Sequence, residues 1–321
     1  MDELQNIFVG ERLRELRLMK GKTQEDVAKH FGISKQAVSK WETGQSLPDV
    51  LLLPEIAGYF GVNISDFFKR SAGNGTSARP TGTPVIQVKG LKKKYNPKVE
   101  EYALQNVDMD IFGNLSTAIM GPSGSGKSTL LNCMSGLESP TDGSVIVLGK
   151  EISRLKEPAL TQFRRKNINF IFQQYNLVDT LNVTENIRLP YKLSGEKTDN
   201  ARFRELIDKL GLAGKEKSLP SRLSGGQQQR VAVARALLGK NRIIFADEPT
   251  GALDIRTGQE VLNLLLVACR QFQLPLVVVT HDASVAAACD VVYFLKDGRF
   301  VRTVYGATAE EISRIMMELQ R

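Results

Sequence analysis

The chain has 321 residues, of which 42% are hydrophobic and 24% charged, and its formal net charge is +8. This length and composition predict a globular protein of two domains, and no apolar run approaches the about 18 residues that a membrane-spanning helix needs. The first ten residues lack the cationic start and apolar centre of a signal peptide. Three scattered cysteines have no metal-binding spacing, which predicts reduced thiols in the core of a cytosolic protein.

The positive charge is unevenly distributed along the chain. Residues 1–70 contain ten basic and ten acidic side chains, so the whole excess lies in residues 71–321. A basic chain commonly binds nucleic acid. Here the excess lies outside residues 1–70, so the net charge does not assign that property to the first domain.

The first 70 residues predict an all-α domain of five short helices. Apolar residues at helical spacing mark the first helix. Thr23 and Ser34 are typical N-caps, and they predict a second helix and a third over Lys35–Glu42. Two further helices are predicted, one with Pro54 in its first turn and one over residues 63–68.

A helix-turn-helix is indicated by two of these helices joined through a tight turn that contains glycine. The stretch TQEDVAKHFGISKQAVSKWETG resembles the phage-repressor and xenobiotic-response-element (Cro/C1-type) DNA-binding domains, over roughly residues 7–68. In that family the third helix lies in the major groove. The resemblance implies that Gln24 touches a backbone phosphate and that four residues face base edges or nearby phosphates: Lys35, Gln36, Ser39 and Lys40.

Two other interpretations of this domain stay open. Its balanced charge gives little non-specific affinity for DNA, because that affinity comes from neutralising phosphates. The domain could therefore be a module that docks a protein. Trp41 is interpreted as a core residue rather than as a group that stacks on bases.

Residues 71–84, with the sequence SAGNGTSARPTGTP, are almost free of apolar side chains. Such a composition predicts a flexible tether. The predicted organisation is a helix-turn-helix domain over residues 1–70, a linker over residues 71–84 and a second domain over residues 85–321.

A glycine-rich loop carries the clearest chemistry of the second domain. It reads G-x-x-x-x-G-K-S, follows a predicted apolar strand at residues 115–120 and precedes a helix. Glycines let successive N–H groups point at phosphate oxygens, and the helix start adds a positive dipole end. Lys127 can reach the β- and γ-phosphates, and Ser128 can ligate Mg²⁺. The predicted phosphate site comprises Gly121, Pro122, Ser123, Gly124, Ser125, Gly126, Lys127, Ser128 and Thr129.

Further polar groups stand where predicted helices begin or strands end. LSGGQ at residues 223–227 places a serine and two glycines at a helix start, which favours a second anion site. A strand predicted over residues 243–248 ends in Asp247, which can hold Mg²⁺, and Glu248, which can polarise water. His281 follows another apolar strand and is a candidate γ-phosphate contact.

Taken in order, these motifs are similar to those of the ATP-binding-cassette ATPase family over nearly all of residues 85–321. The stretches IMGPSGSGKSTLLN, FIFQQYNL, LSGGQQQRVAVARAL and DEPTGALD resemble the subfamily of macrolide-export, lipoprotein-release and antimicrobial-peptide-resistance transporters. The resemblance implies a multidomain protein in which an all-α helix-turn-helix domain precedes an α/β P-loop NTPase with a helical subdomain. It also implies ATP and Mg²⁺ as cofactors.

The resemblance assigns a role to each motif residue. Tyr95 stacks on adenine. Ser128 and Gln173 ligate Mg²⁺, with support from Asp247. The catalytic group comprises the general base Glu248, the γ-phosphate contact His281 and Gln173. Residues at the seam of a cassette dimer complete the nucleotide site of the other subunit, and these are Ser224, Gly225, Gly226, Gln227 and Asp254.

The implied partners are a second cassette, either a copy of this chain or another ATPase subunit, and a separate membrane-spanning permease. The permease would meet residues 173–191, which places the protein at the inner, cytoplasmic face of the membrane. The leading prediction is a transporter ATPase that carries a DNA-binding module. One alternative is a transcription regulator in which the cassette dimer spaces two helix-turn-helix units on DNA. In another, the helix-turn-helix domain docks a protein.

Overall fold

The structure is a computed structural model that describes residues 2–46, 48, 52–62, 82–96, 98, 101–113, 115–239 and 242–320. The chain divides into two compact units, Met1–Thr76 and Ser77–Arg321. The predicted fifth helix at 63–68 and most of the predicted linker lie outside the described residues. Among the described residues, no helix has both the length and the apolar character needed to cross a membrane.

Unit 1 contains four described helices, α1 (Asp2–Met19), α2 (Gln24–Phe31), α3 (Lys35–Glu42) and α4 (Leu53–Phe60). Thr23 and Ser34 cap α2 and α3 through their hydroxyl groups, as their positions in the sequence predict. Trp41 is 8% exposed and belongs to the core, so its predicted role in packing is confirmed.

A buried ion pair connects α1 to the end of α3. Arg17 Nε lies 2.5 Å from Glu42 Oε1, and Arg17 Nη2 donates to Glu42 Oε2 at 2.9 Å. Glu42 also accepts a hydrogen bond from Gln24 Nε2 at 2.8 Å. The hydrogen bond that Arg17 donates to the Glu42 carboxylate raises the pKa of Arg17 above its ordinary value. This network joins the first three helices.

Unit 2 is built on two sheets. A four-stranded antiparallel sheet has the order β2-β1-β4-β5, and a six-stranded sheet has the order β10-β9-β3-β8-β7-β6, in which only β10 is antiparallel to its neighbour. The strands are β1 (Pro84–Lys93), β2 (Leu104–Phe112), β3 (Ser116–Met120), β4 (Asp142–Val147), β5 (Lys150–Glu151), β6 (Ile168–Ile171), β7 (Ile243–Asp247), β8 (Leu276–Val279), β9 (Val291–Lys296) and β10 (Arg299–Tyr305).

The α-helices of unit 2 pack on its sheets, and a short 3-10 helix spans Pro220–Arg222. The α-helices are α5 (Lys127–Ser135), α6 (Ala159–Asn167), α7 (Val183–Ser194), α8 (Asn200–Lys209), α9 (Gly225–Leu238), α10 (Ile255–Gln271), α11 (Ala283–Ala287) and α12 (Ala309–Gln320). Helix α9 packs against α7, and Tyr191 Oη donates to the carbonyl of Leu238 at 3.0 Å.

Successive residues of the central strands point to opposite faces of the six-stranded sheet. Ala118, Met120 and Ala246 pack with side chains of α7 to α12. Ile119 and Phe245 pack on the other face with α5, α6 and the antiparallel sheet. Because both faces are covered, the central strands are apolar along almost their whole length. The predicted α/β fold is confirmed.

All three cysteines are buried, as their apolar surroundings in the sequence predict. Burial raises the pKa of the Cys133 and Cys289 thiols to about 12. A thiol with so high a pKa stays protonated at neutral pH and is a poor nucleophile. These side chains therefore belong to the core.

Candidate functional site

The strand order brings the predicted nucleotide motifs to one edge of the sheet. Strands β3, β8, β7 and β6 are neighbours and run parallel, so their carboxyl ends lie side by side. Ligands of open α/β sheets bind outside those ends. The glycine-rich loop follows β3, His281 follows β8, Asp247 ends β7, and Gln173 follows β6.

Backbone contacts explain two glycines of the loop between β3 and α5. At Gly121, whose φ is 158°, a Cβ atom would lie 2.0 Å from the carbonyl oxygen of Leu295. At Gly126, whose φ is 94°, it would lie 2.3 Å from the carbonyl oxygen of Ala103. No described side chain caps α5. Its first N–H groups are therefore available to an anion such as a phosphate.

The Lys127 ammonium group lies against this loop. Its Nζ donates to the carbonyl oxygens of Gly121 at 3.0 Å and Pro122 at 2.7 Å. Burial lowers the pKa of Lys127, and the carboxylates of Glu248 and Asp247 partly offset that effect. These contacts keep the Lys127 ammonium at the loop, where it can neutralise the charge of a bound phosphate.

Glu248 is the centre of the polar group at this edge. The predicted strand over residues 243–248 ends one residue early, and Glu248 adopts a left-handed φ of 43°. Its Oε1 lies 2.9 Å from His281 Nδ1, and its Oε2 accepts a hydrogen bond from Gln173 Nε2 at 3.1 Å. The structure thus brings Gln173 and His281, both predicted to be catalytic, into contact with Glu248.

The donor set beside Glu248 fits a magnesium ion. Ser128 Oγ donates to Asp247 Oδ1 at 3.2 Å, and burial raises the pKa of Asp247. Gln173 uses its amide nitrogen toward Glu248, which leaves its amide oxygen for a cation. Within the described part of the chain, no group of three or more His, Cys, Asp or Glu side chains is arranged to hold a metal ion by itself. Magnesium in phosphate sites needs only one or two carboxylates beside the phosphates and water.

Tyr95 is held beside α5 with its ring exposed. Its hydroxyl lies 3.1 Å from Thr129 Oγ1 and donates to Glu138 Oε1 at 3.2 Å. Lys93 Nζ lies 5.3 Å from the ring centroid. The side chain remains 62% exposed, so it offers aromatic surface to a base near the phosphate loop.

The LSGGQ residues lie at the start of α9. Ser224 and Gln227 form a reciprocal capping box there. A Cβ atom at Gly226 would lie 2.4 Å from Thr257 Cγ2 of α10, and one at Gly225 would lie 3.0 Å from Tyr175 Oη. Asp254 caps α10 through the amide of Thr257 at 3.0 Å.

The predicted nucleotide residues therefore form two groups. Those of residues 121–129, with Tyr95, Gln173, Asp247, Glu248 and His281, are connected by the contacts described above. The second group comprises residues 224–227 and Asp254. Among the described contacts of these side chains and glycines, the second group shares none with residues 121–129.

Two residues that the motifs did not single out join the second group to Gln173. The guanidinium group of Arg235 donates to the carbonyl oxygens of Tyr175 and Asn176. Tyr175 Oη donates to the carbonyl of Ala252 at 3.5 Å. Arg235 sits in the helical stretch VAVARALL, and that pattern predicts a packed helix without indicating which backbone its charge meets.

The four residues predicted to face base edges or phosphates all lie on α3 of unit 1. Lys35, Gln36 and Lys40 are exposed and Ser39 is half-buried. Lys35 Nζ also lies 3.5 Å from Glu25 Oε2. Gln24 differs from expectation because its amide nitrogen is used by Glu42 inside the unit.

Comparison with family models gives two matches. The model described as "ABC transporter" matches residues 104–251, and the model described as "Helix-turn-helix" matches residues 13–67.

Named relatives align to about two thirds of the chain. The bacitracin export ATP-binding protein BceA of Halalkalibacterium halodurans is 40% identical over 218 residues, which is 67% of this chain and 86% of that protein. The macrolide export ATP-binding/permease protein MacB of Escherichia coli is 40% identical over 223 residues, which is 68% of this chain but 34% of that protein.

A solved structure aligns with a similar share of the chain. It is described as a dimeric structure of a post-hydrolysis state of the ATP-binding cassette MJ0796 bound to ADP and Pi. It is 39% identical to this chain with a TM-score of 0.64, and the alignment covers 69% of this chain and 99% of that one.

Proposed function

We propose that this chain, which belongs to the ABC transporter family of ATPases, drives a membrane transporter and carries in unit 1 a module that binds DNA. The observation that supports the catalytic part is the position of Glu248. Its carboxylate contacts both Gln173 and His281, and the adjacent Asp247 contacts Ser128 of the phosphate loop. A base, a phosphate cradle and oxygen ligands thus meet at one edge of the sheet.

Each of these groups has a defined task in ATP hydrolysis. The N–H groups of residues 121–129 and the Lys127 ammonium hold the β- and γ-phosphates. Ser128, Gln173 and Asp247 would hold Mg²⁺, which would supply positive charge to the phosphates. Glu248 accepts a proton from the water that attacks the γ-phosphorus, and the bond from that phosphorus to the β,γ-bridging oxygen breaks to give ADP and phosphate. His281 orients the carboxylate through the Nδ1 contact.

A second cassette would complete the site. Ser224, Gly225, Gly226, Gln227 and Asp254 stand apart from the phosphate loop within one chain, and the solved relative is described as a dimer with ADP and phosphate. We propose that these residues act on the nucleotide of the partner cassette, which is a second copy of this chain or another ATPase subunit. Two nucleotides would then lie between two cassettes.

The transport partner is proposed to be a separate permease in the membrane, with this chain bound at its cytoplasmic face. The two relatives described above are named for export of bacitracin and of macrolides. Residues 173–191 connect the catalytic Gln173 to α7, and this segment includes the exposed Val178. Few residues separate Gln173 from Val178 along the chain, so a movement of Gln173 would be transmitted to this surface.

Val178→Asp should remove co-purification with the permease in detergent, because a charge in a hydrophobic contact must be desolvated. Val301→Asp is the matched control, since Val301 is exposed to a similar degree on β10. The measurement is recovery of an integral membrane protein with tagged chain from solubilised membranes, with ATPase activity measured in parallel. Equal recovery with both variants would contradict the proposed surface.

DNA binding by unit 1 is supported by the family match over residues 13–67 and by the exposed polar face of α3. Two lysines on that face can contact phosphates. The Gln36 amide has both a donor and an acceptor, which can pair with the edge of adenine in the major groove.

Gln36→Ala should weaken binding to a preferred sequence by about 1–3 kcal/mol, because one base contact is lost. The preferred sequence is first selected from a random duplex pool with the unaltered chain, and affinities are then compared at one salt concentration. Unrelated DNA is the control, and its affinity should not change. A chain that selects no sequence would favour the docking module, and ATP-dependent affinity would favour the regulator.

A further inference from the structure

The segment that follows Gln173 is an unusual turn. Tyr175 and Asn176 are consecutive residues with left-handed φ values of 60° and 47°. This conformation is costly for residues that carry a side chain, and single residues rather than pairs usually adopt it. Two hydrogen bonds within the segment close the turn, from the Tyr175 amide to the carbonyl of Phe172 and from the Asn176 amide to the carbonyl of Gln174. Its conformation therefore depends on what surrounds it.

Arg235 of α9 supplies that support. Its Nη1 donates to the carbonyl of Asn176 at 2.7 Å, and its Nη2 donates to the carbonyl of Tyr175 at 2.8 Å. The two nitrogens of the planar guanidinium thus bind both left-handed residues at once. No carboxylate pairs with Arg235 within the described part of the chain, and its pKa is lowered by burial. Its charge is directed to these two oxygens.

The turn also lies between the functional segments. Two residues earlier in the chain, Gln173 contacts Glu248. The Tyr175 side chain reaches the carbonyl of Ala252, and its hydroxyl lies next to Gly225 at the start of α9. A change in the turn would therefore alter the direction of Gln173, and a displacement of α9 would reach the turn through Arg235.

We propose that Arg235 is a positioning residue for ATP hydrolysis: by holding Tyr175 and Asn176 in the left-handed conformation, it places Gln173 against Glu248 and couples that contact to α9. This inference rests on the proposed function, in which Gln173 and Glu248 act on the nucleotide. It assigns to Arg235, which is not among the predicted nucleotide-binding residues, the link between the catalytic edge (Gln173, Asp247, Glu248 and His281) and the helix that begins within LSGGQ.

Arg235→Met should lower kcat by about 10²-fold, the loss that a small misplacement of a catalytic group can cause. The affinity for a fluorescent ATP analogue should stay within about threefold, because residues 121–129 are unchanged. Amide hydrogen exchange at residues 174–177 should rise, while that of β6 should not. Arg202→Met is the matched control, because Arg202 donates to the carbonyl of Leu237 in α9 at 2.7 Å without touching the turn.

Glycine at position 176 gives the decisive variant. Glycine adopts positive φ at little cost, so Arg235→Met/Asn176→Gly should regain about tenfold or more of the lost kcat. A role of Arg235 in packing α9 would not be rescued 59 residues away. Arg235→Lys keeps the charge but loses the two parallel donors of the guanidinium, so its kcat should lie between those of the unaltered chain and Arg235→Met. It also provides a folded variant should methionine prevent folding.

Unchanged kcat in Arg235→Met, failure of Asn176→Gly to rescue, or equal effects of Arg202→Met would each overturn the inference. Failure of the proposed function is a separate result. In that case Gln173→Ala in the unaltered background would leave turnover unchanged, whatever the Arg235 variants do.

Discussion

Glu248→Gln should reduce ATP turnover by about 10²–10⁴-fold while ATP still binds. The carboxylate is the only group of the catalytic edge that is proposed to take a proton from water, and glutamine has the same shape without that basicity. The two neighbours of Glu248 make different contacts: Gln173 donates to Oε2, and His281 meets Oε1 through Nδ1. The amide of a glutamine at position 248 has one acceptor and one donor for these two contacts, so the substituted side chain can stay in place.

Phosphate release under saturating ATP measures the loss, and a fluorescent ATP analogue measures binding. Glu260→Gln is the control, because that glutamate lies on α10 and contacts Arg230 and Arg256 rather than the catalytic edge. Trapped ATP should also make the Glu248→Gln chain dimerise on size exclusion, whereas ADP should not. Hydrolysis at the unaltered rate would exclude Glu248 as the general base.

Local patterns predicted the residues of the proposed catalytic edge because each of these groups is marked within a few residues. A glycine-rich loop after an apolar strand, and carboxylates after another, identify strand ends whatever the sheet order is. The order β3-β8-β7-β6 was not predictable from any one stretch. That order puts residues 75 apart, Gln173 and Glu248, within 3.1 Å of each other.

Helix boundaries were predictable for the same local reason. Ser34 caps α3 with its own hydroxyl, and the helix begins at Lys35 as expected. The partner of Gln24 was not predictable, because its amide nitrogen is engaged by a carboxylate 18 residues later that also binds Arg17. Arg235 is a similar case, since its partners are carbonyl oxygens and every residue has one. Long-range polar contacts of this kind leave no periodic signal in the sequence.

The Arg17–Glu42 ion pair is a long-range contact of this kind, and we expect it to dominate the stability of unit 1. Glu42→Ala removes the partner of a buried guanidinium, and breaking a buried pair on one side costs about 3–5 kcal/mol. Arg17 and Glu42 are 9% and 8% exposed, so water can hardly replace the lost carboxylate. Natural domains have a total stability of about 5–15 kcal/mol. We therefore expect unit 1 to unfold in mild urea while unit 2, with its own core, still binds nucleotide.

The chain contains one tryptophan, Trp41, which is buried in unit 1, so tryptophan fluorescence follows the unfolding of that unit in the intact chain. Glu15→Ala is the matched control. It breaks the Arg12–Glu15 pair, whose side chains are 26% and 42% exposed, and such pairs contribute about 0–1 kcal/mol. Arg17→Met/Glu42→Met should recover most of the loss, because an apolar pair leaves no charge unpaired. A midpoint shift for Glu42→Ala no larger than that of Glu15→Ala would show that the buried pair does not hold the first three helices together.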